Sequence, residues 1–258
     1  MDVESFRQWL DNDIQDIYLP EDVQMIHTDE REIEVSRRFG FAGSRGLSDA
    51  AYVGQYYTMF ERAWAMTGYT DFLTYCYTDP DAVEFLLDRI TENKIRMAER
   101  ICELNPDIGH TGDDLGLQTG GVMSLEMFRK FFKPRYEKIW GVYKRHGIPV
   151  MHHSCGDCSM YIPDMIDAGL DMLHTVQQTA MDISMLSREY GKDLSWFAST
   201  DTVSVLEKGT PDDVRRNVDY TVEQLGKYNG LLLSMINIMP TAPFENVKAA
   251  IEQIKKYR

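Results

Sequence analysis

The chain has 258 residues, 43% of them apolar, enough to bury the core of one large barrel or two small domains. Its net charge of −14 argues against binding nucleic acid through the phosphates, which requires a basic face. We predict a cytoplasmic protein that is not embedded in a membrane. The four cysteines are irregularly spaced, Met1 is not followed by a basic and then apolar signal sequence, and no apolar run approaches the roughly 18 residues of a membrane helix.

From about residue 46 the chain alternates short apolar or β-branched runs with longer stretches of helical periodicity. This alternation is typical of parallel strands covered by helices. Strands are predicted at residues 51–54, 108–111, 149–153, 172–176, 194–198 and 231–235. Helices are predicted at residues 82–104, 124–145, 162–168, 181–190, 211–225 and 243–256.

Six strands in this rhythm predict an α/β fold, a (β/α)8 TIM barrel whose amino-terminal part is short or irregular. Residues 1–45, with a helical pattern at 6–17, are predicted as a separate amino-terminal segment, and residues 46–258 as the barrel. Helix start signals stand at Thr210, ahead of Pro211, and at the acidic Asp182.

Polar residues follow the predicted strands in succession, where a barrel of this type places its reactive groups. Asp114 and Asp201 are the candidate catalytic residues, although a loop aspartate also commonly caps its own backbone in an Asx turn. The candidate substrate-binding residues are Tyr56, Asp113, Gln118, Gln177 and Asn237. His152 and His174 are expected to be structural or exposed.

The stretch PVMHHSCGDC (residues 149–158) runs from an apolar strand into a cluster of soft metal ligands. Imidazole and thiolate groups at a strand end are what a zinc site needs. Side chains alternate along a strand, so His153 and Cys155 are expected on one side and His152 on the other. Cys158 is a candidate third ligand, because two thiolates two residues apart can share a metal, or a small buried apolar residue.

Several motifs in the same order resemble the uroporphyrinogen decarboxylase superfamily, and the likeness covers roughly residues 46–257. The motifs are FERAW (60–64), GDDLGLQ (112–118), SLEMFRKFFKPRY (124–136), HSCG (153–156), IPDMIDAG (162–169), GTPDDV (209–214) and PFENV (243–247). The resemblance implies a (β/α)8 barrel. It leaves two activities, those of the porphyrinogen decarboxylases and of the cobalamin-dependent methyltransferases.

The methyltransferase branch is the better match, because the arginine-rich amino-terminal segment with which the decarboxylases bind a polycarboxylate is missing. The resemblance implies transfer of a methyl group between a small substrate and a corrinoid on a partner protein, assisted by zinc on His153 and Cys155. The family's distant cysteine ligand corresponds here to Ile236, or to Asn237 after a shift of one residue. The alternatives are a decarboxylase acting on a porphyrinogen or a smaller carboxylate, and a catalytically degenerate barrel acting as a subunit; a homo-oligomer is left open.

Overall fold

The computed structural model of the protein describes residues 52–55, 57–103, 105–228, 230–234, 238 and 240–257. The helix predicted at 6–17 and the whole segment 1–45 lie outside these residues, as do Tyr56, Ile236 and Asn237. The chain divides into two compact units. The first comprises Met1–Asp113 and Leu125–Met151, and the second comprises Asp114–Ser124 and His152–Arg258.

In the first unit two parallel strands, β1 (Tyr52–Gln55) and β2 (Ile108–Gly112), are followed along the chain by the start of a third strand. Gly109 N donates to Pro149 O at 2.9 Å just before that strand. The helices of this unit are α1 (Phe60–Thr67), α2 (Tyr69–Thr78), α3 (Pro80–Glu103), α4 (Leu125–Met127) and α5 (Lys133–Arg145).

An aromatic cluster forms the core of the first unit. The rings of Phe60, Phe72 and Phe132 meet edge to face, with centroids 5.9 to 6.3 Å apart. Tyr136 and Trp140, one turn apart on α5, stack at 4.8 Å. Such pairs add roughly 0.5–1.5 kcal/mol each to the free energy gained by burying their area.

The helix predicted at 124–145 is interrupted, which corrects the prediction. A π-helical turn, Phe128–Phe132, separates α4 from α5, and Lys133 N donates to Phe128 O across five residues. Pro134 follows directly and has no amide hydrogen for a regular α-helical bond. The wider turn buries Phe128, Phe131 and Phe132 together.

In the second unit a short antiparallel hairpin, β3 (Gly116–Leu117) and β4 (Gly120–Gly121), precedes a parallel set of strands. The end of β5 (Val150–His153) runs beside β6 (Met172–Val176). Strand β6 pairs in parallel with β7 (Ser195–Ser199), and β7 pairs in parallel with β8 (Leu231–Ser234). The helices are α6 (Ile162–Asp167), α7 (Ile183–Tyr190), α8 (Pro211–Leu225) and α9 (Phe244–Ile254).

Helix starts in this unit follow the sequence signals. Asp182 accepts hydrogen bonds from the first amides of α7, and Thr210 forms a reciprocal capping box with Asp213 at the start of α8. These two predicted starts are confirmed. Apolar side chains of α8, α9 and the turn before α8 close a small core, made of Leu206, Val214, Ala249 and Ala250.

The predicted strands lie within one residue of the observed ones, whereas α1, α2 and the hairpin were not predicted. The strands of the hairpin have only two residues each, too few for a detectable alternation. Among the described residues, no helix combines the length and the apolar character needed to cross a membrane.

Candidate functional site

The end of β5 carries the candidate ligands. Cys155 Sγ lies 3.4 Å from His153 Nε2, as two side chains on the same side of an extended segment can. His152, between β5 residues Met151 and His153, is fully buried. Burial, together with the neighbouring His153, lowers the pKa of His152 to about 3, so His152 is neutral at physiological pH.

Residues 114–117 run alongside residues 154–157 and bring an aspartate to this point. Cys155 N donates to Asp114 Oδ1 at 2.9 Å, and Gly116 N donates to Cys155 O at 3.2 Å. Asp157 N donates to Leu117 O at 2.6 Å. These bonds fix the Asp114 carboxylate beside the Cys155 thiol.

Two glycines allow this close approach. Gly156 has φ +74, and a β-carbon there would stand 2.3 Å from Gly116 O. A β-carbon on Gly116 would stand 2.5 Å from Asp157 N. Neither position tolerates a side chain, because the two backbones are already in contact.

Asp114, His153 and Cys155 form a cluster in which one donor atom of each lies within 4.8 Å of the others. His153 Nε2 is 3.4 Å from Asp114 Oδ1 and 3.4 Å from Cys155 Sγ. With ordinary zinc bond lengths, tetrahedral ligands are separated by roughly 3.4 Å for nitrogen and oxygen and roughly 3.5 Å for nitrogen and sulfur. The donor types and the two distances from His153 Nε2 therefore fit a zinc ion with three protein ligands and one position for a substrate.

The charge state of the cluster suits a cation. Burial acts to raise the pKa of Asp114, but hydrogen bonds from His153 and from the Cys155 amide outweigh it and lower this pKa below its ordinary value. The carboxylate is therefore ionised at neutral pH.

His174, on β6, contacts the candidate ligand His153. Its Nδ1 lies 3.1 Å from His153 Nδ1, and its ring packs 4.5 Å from that of Phe197. Burial and the neighbouring His153 lower the pKa of His174 to about 3. His174 is buried, which agrees with the structural alternative of the prediction, and it also touches a candidate ligand.

A pocket of about 240 Å³ opens beside Cys155. Its other walls are the carboxyl ends of β6 and β7 and the loops that follow them. The lining residues are Cys155, Thr175, Val176, Gln177, Gln178, Thr179, Ser199, Thr200, Asp201, Thr202 and Val203.

Both glutamines of the pocket are used by the protein itself. Gln177 Oε1 accepts from Gly156 N at 2.9 Å, which ties β6 to the turn carrying Cys155. Gln178 Nε2 donates to Ser199 O and to Thr221 Oγ1, and its Oε1 accepts from Asn217. Gln177 thus lies at the predicted site, with its amide oxygen already engaged.

Asp201 also lines the pocket and caps the π-helical turn Thr202–Leu206. Its Oδ1 accepts from Val203 N at 3.0 Å and from Ser204 N at 2.8 Å. Asp201 therefore makes the hydrogen bonds to its own backbone that are expected of a loop aspartate in an Asx turn. These bonds do not conflict with a substrate role, since Oδ2 accepts no hydrogen bond from the described residues.

Asp113 is placed differently from its sequence neighbour Asp114. It belongs to the first unit, is fully buried, and accepts from Met59 N (2.8 Å), Glu61 N (2.8 Å) and the Tyr136 hydroxyl (2.6 Å). Burial raises its pKa to about 6, although these three hydrogen bonds oppose the rise. Asp113 therefore holds the amino terminus of α1, and substrate binding by this residue stays a prediction without a contact to support it.

The other predicted site residues lie away from the cluster or outside the description. Gln118 is exposed in the turn between β3 and β4 and does not line the pocket. Cys158 is fully buried, and burial raises the pKa of its thiol to about 12, opposed in part by a hydrogen bond with Ser154. Tyr56 and Asn237 are not among the described residues.

Two features of the site escaped the sequence interpretation. The place of Asp114 in the cluster with His153 and Cys155 was not predicted, because its approach to Cys155 depends on pairing between segments 41 residues apart. Thr200, a buried residue in the wall of the pocket, was not among the predicted site residues. The succession of polar residues after the strands was the signal available for both.

Residues 50–257 match the family described as Uroporphyrinogen decarboxylase (URO-D). A methylated-thiol–coenzyme M methyltransferase from Methanosarcina mazei is 21% identical over 197 residues, which cover 76% of this chain and 51% of the relative. A uroporphyrinogen decarboxylase from Thermus thermophilus is 25% identical over 176 residues, which cover 66% of this chain and 48% of the relative. The chain thus spans about half the length of the curated relatives it matches.

The solved structure of a methyltransferase from Methanosarcina mazei is similar to the chain with a TM-score of 0.67 and 21% identity. The match covers 87% of this chain and 62% of that one. It confirms the predicted fold class, an α/β fold of the (β/α)8 barrel type.

Proposed function

We propose that the chain, which belongs to the uroporphyrinogen decarboxylase (URO-D) family, acts in methyl transfer between a small substrate and a corrinoid carried by a partner protein. The observation that carries this proposal is the cluster of Asp114, His153 and Cys155 beside an open pocket. A relative named for its action on methylated thiols and coenzyme M supports the choice of reaction.

Zinc is the metal that we propose for the cluster. When bound, it would lower the pKa of a coordinated thiol and so increase the thiolate fraction at neutral pH. Asp114 would take the place of the distant cysteine that the resemblance led us to expect at position 236. The hydrogen bond from the Cys155 amide, which holds the Asp114 carboxylate beside the Cys155 thiol, supports this assignment.

The protein's own residues supply positioning. The Asp114 carboxylate and the Cys155 thiol are held by backbone bonds between residues 114–117 and 154–157, and Gln177 ties the same turn to β6. Methyl transfer requires the acceptor, the methyl carbon and the leaving atom in line, so a fixed site contributes through orientation. Asp201, on the loop after β7, would orient the substrate.

The chemistry balances without an external oxidant or reductant. A thiol acceptor loses its proton to solvent, and the sulfur lone pair forms a bond to the methyl carbon. The bond from that carbon to the donor atom breaks, and its electron pair stays on the donor. In the opposite direction the same two bonds exchange roles.

Decarboxylation of a porphyrinogen is not proposed. The substrate of that reaction carries several carboxylates, which need cationic partners. None of the residues described as lining the pocket is a lysine, arginine or histidine. A volume of about 240 Å³ is also below the roughly 300–1,000 Å³ of pockets that hold drug-sized ligands.

A methylcobalamin assay tests the proposal. The zinc-loaded protein is mixed with methylcobalamin and a panel of small thiols, and the corrinoid absorbance is followed. We expect demethylation that depends on the thiol and is lost in Cys155→Ala, because the thiol would no longer be held by the metal. Unchanged absorbance with every thiol would reject the proposal and favour a degenerate barrel, whereas full activity in Cys155→Ala would reject the role proposed for the metal cluster.

A further inference from the structure

The loop after β7 lines the pocket with polar atoms that have no hydrogen-bond partner among the described residues. Gln178 is occupied by three hydrogen bonds, and Ser199 Oγ donates to Thr200 O at 2.8 Å. On the loop after β7, the hydroxyl of Thr200 and one carboxylate oxygen of Asp201 have no hydrogen-bond partner among the described residues.

Thr200 is 3% exposed, and its Oγ1 is buried with no hydrogen-bond partner among the described residues. A buried hydroxyl without a partner costs about 1–3 kcal/mol, so native proteins rarely retain one without a purpose. Thr200 lines the pocket, so rotation about its Cα–Cβ bond can turn the hydroxyl toward a ligand group there.

Asp201 adds a negative charge to the same loop. Its Oδ1 is occupied by Val203 N and Ser204 N, which leaves Oδ2 facing no donor of the described chain. The pocket-lining residues include no cationic side chain to balance this charge. An anionic ligand would be repelled here, whereas a protonated amine would be attracted and would donate hydrogen bonds.

We infer that the pocket binds a small thiol or thioether bearing a protonated amine, with the sulfur at Cys155 and the ammonium group at Thr200 and Asp201. This inference rests on the proposed function, and it adds the substrate class. The volume of about 240 Å³ is below the roughly 300–1,000 Å³ of pockets that hold drug-sized ligands. Such a space suits a short aminothiol.

Calorimetric titration with thiols matched in length and differing in charge tests the inference. The probes are 2-aminoethanethiol, 2-mercaptoethanol and 2-mercaptoethanesulfonate, together with the three-carbon member of each type, at constant ionic strength. We expect the amines to bind at least about tenfold more tightly than the sulfonates, with the alcohols between them.

Two variants locate the effect. Asp201→Asn keeps Oδ1 as the cap of the π-helical turn while removing the charge, and it should reduce the amine preference to below about threefold. Asp182→Asn is the matched control, because Asp182 also caps a helix through Oδ1 but does not line the pocket, and it should keep the full preference. Thr200→Val should weaken amine binding severalfold and leave stability unchanged or improved, since the hydroxyl has no partner to lose.

Three outcomes would overturn the inference: sulfonates binding as well as amines, an amine preference that survives Asp201→Asn, or no binding by any probe. Binding is measured without a corrinoid, so the two proposals can fail separately. Methyl transfer to sulfonates with no amine preference would retain the function and reject the inference. Amine binding at Asp201 without any methyl transfer would do the reverse.

Discussion

The Nδ1 atoms of His153 and His174 lie 3.1 Å apart, so one of the two rings donates a hydrogen bond and the other accepts it. His174 is neutral, since burial and the neighbouring His153 lower its pKa to about 3. A histidine that gives Nε2 to a metal keeps its proton on Nδ1, and His174 Nδ1 is placed to accept that proton's hydrogen bond. His174 therefore orients His153 toward Asp114 and Cys155.

Replacing His174 by Phe should weaken metal binding about 10- to 100-fold, because the ring contact remains while the acceptor for His153 is lost. The measurement is the affinity for Co²⁺ and Zn²⁺ in competition with a chelator. His146→Phe is the control, since His146 is exposed and pairs with Glu99. Equal metal affinity in His174→Phe and the wild type would show that His174 only fills space.

The pair that we propose as metal ligands was readable from the sequence for a local reason: His153 and Cys155 are two residues apart, and the period of an extended chain is two. The third donor was not, because Asp114 reaches Cys155 through pairing over 41 residues. Asp113 and Asp114 have the same side chain and adjacent positions. Their different environments arise because Asp113 meets the start of α1, more than 50 residues earlier in the chain. The fold class was predicted correctly because alternating strands and helices are also a local pattern.

Asp113 should make stability depend on pH. Its folded pKa of about 6 is above the unfolded value of 3.8, so between these values the folded state binds the extra proton and stability falls as pH rises. Lowering the pH from 7.5 to 5.0 should therefore stabilise the wild type by on the order of 1.4 kcal/mol relative to Asp113→Asn, which cannot titrate. Urea unfolding of both proteins at both pH values measures this difference. A stability difference that does not change with pH would contradict the buried, titrating Asp113.

Cys158→Ala should separate the two interpretations of that thiol. We expect a loss of about 1–2 kcal/mol in the free energy of unfolding, because a fully buried side chain is shortened, with no loss of bound zinc. Unfolding and zinc content are measured on the same preparation. Loss of zinc in a folded Cys158→Ala protein would instead make Cys158 a ligand.

Gly156→Ala should destabilise the protein more than Gly147→Ala does. Both glycines have a left-handed backbone, at φ +74 and φ +72, and alanine there costs about 1–2 kcal/mol. A β-carbon at Gly147 meets nothing within 4 Å, whereas one at Gly156 stands 2.3 Å from Gly116 O. Thermal unfolding should therefore show an additional loss of about 2 kcal/mol or more for Gly156→Ala. Equal effects of the two substitutions would mean that the close approach to Gly116 does not constrain the site.

The zinc content of the purified protein and of two variants tests the central claim most directly. Cys155→Ala removes the thiol donor, and Asp114→Asn weakens the oxygen donor while keeping an acceptor for the Cys155 amide. We predict about one zinc per chain in the wild type and less than about 0.1 in each folded variant, because a three-ligand site does not survive the loss of one donor. A wild type with less than about 0.1 zinc after reconstitution, or variants that retain the full content, would contradict the assignment of Asp114, His153 and Cys155 as a metal site.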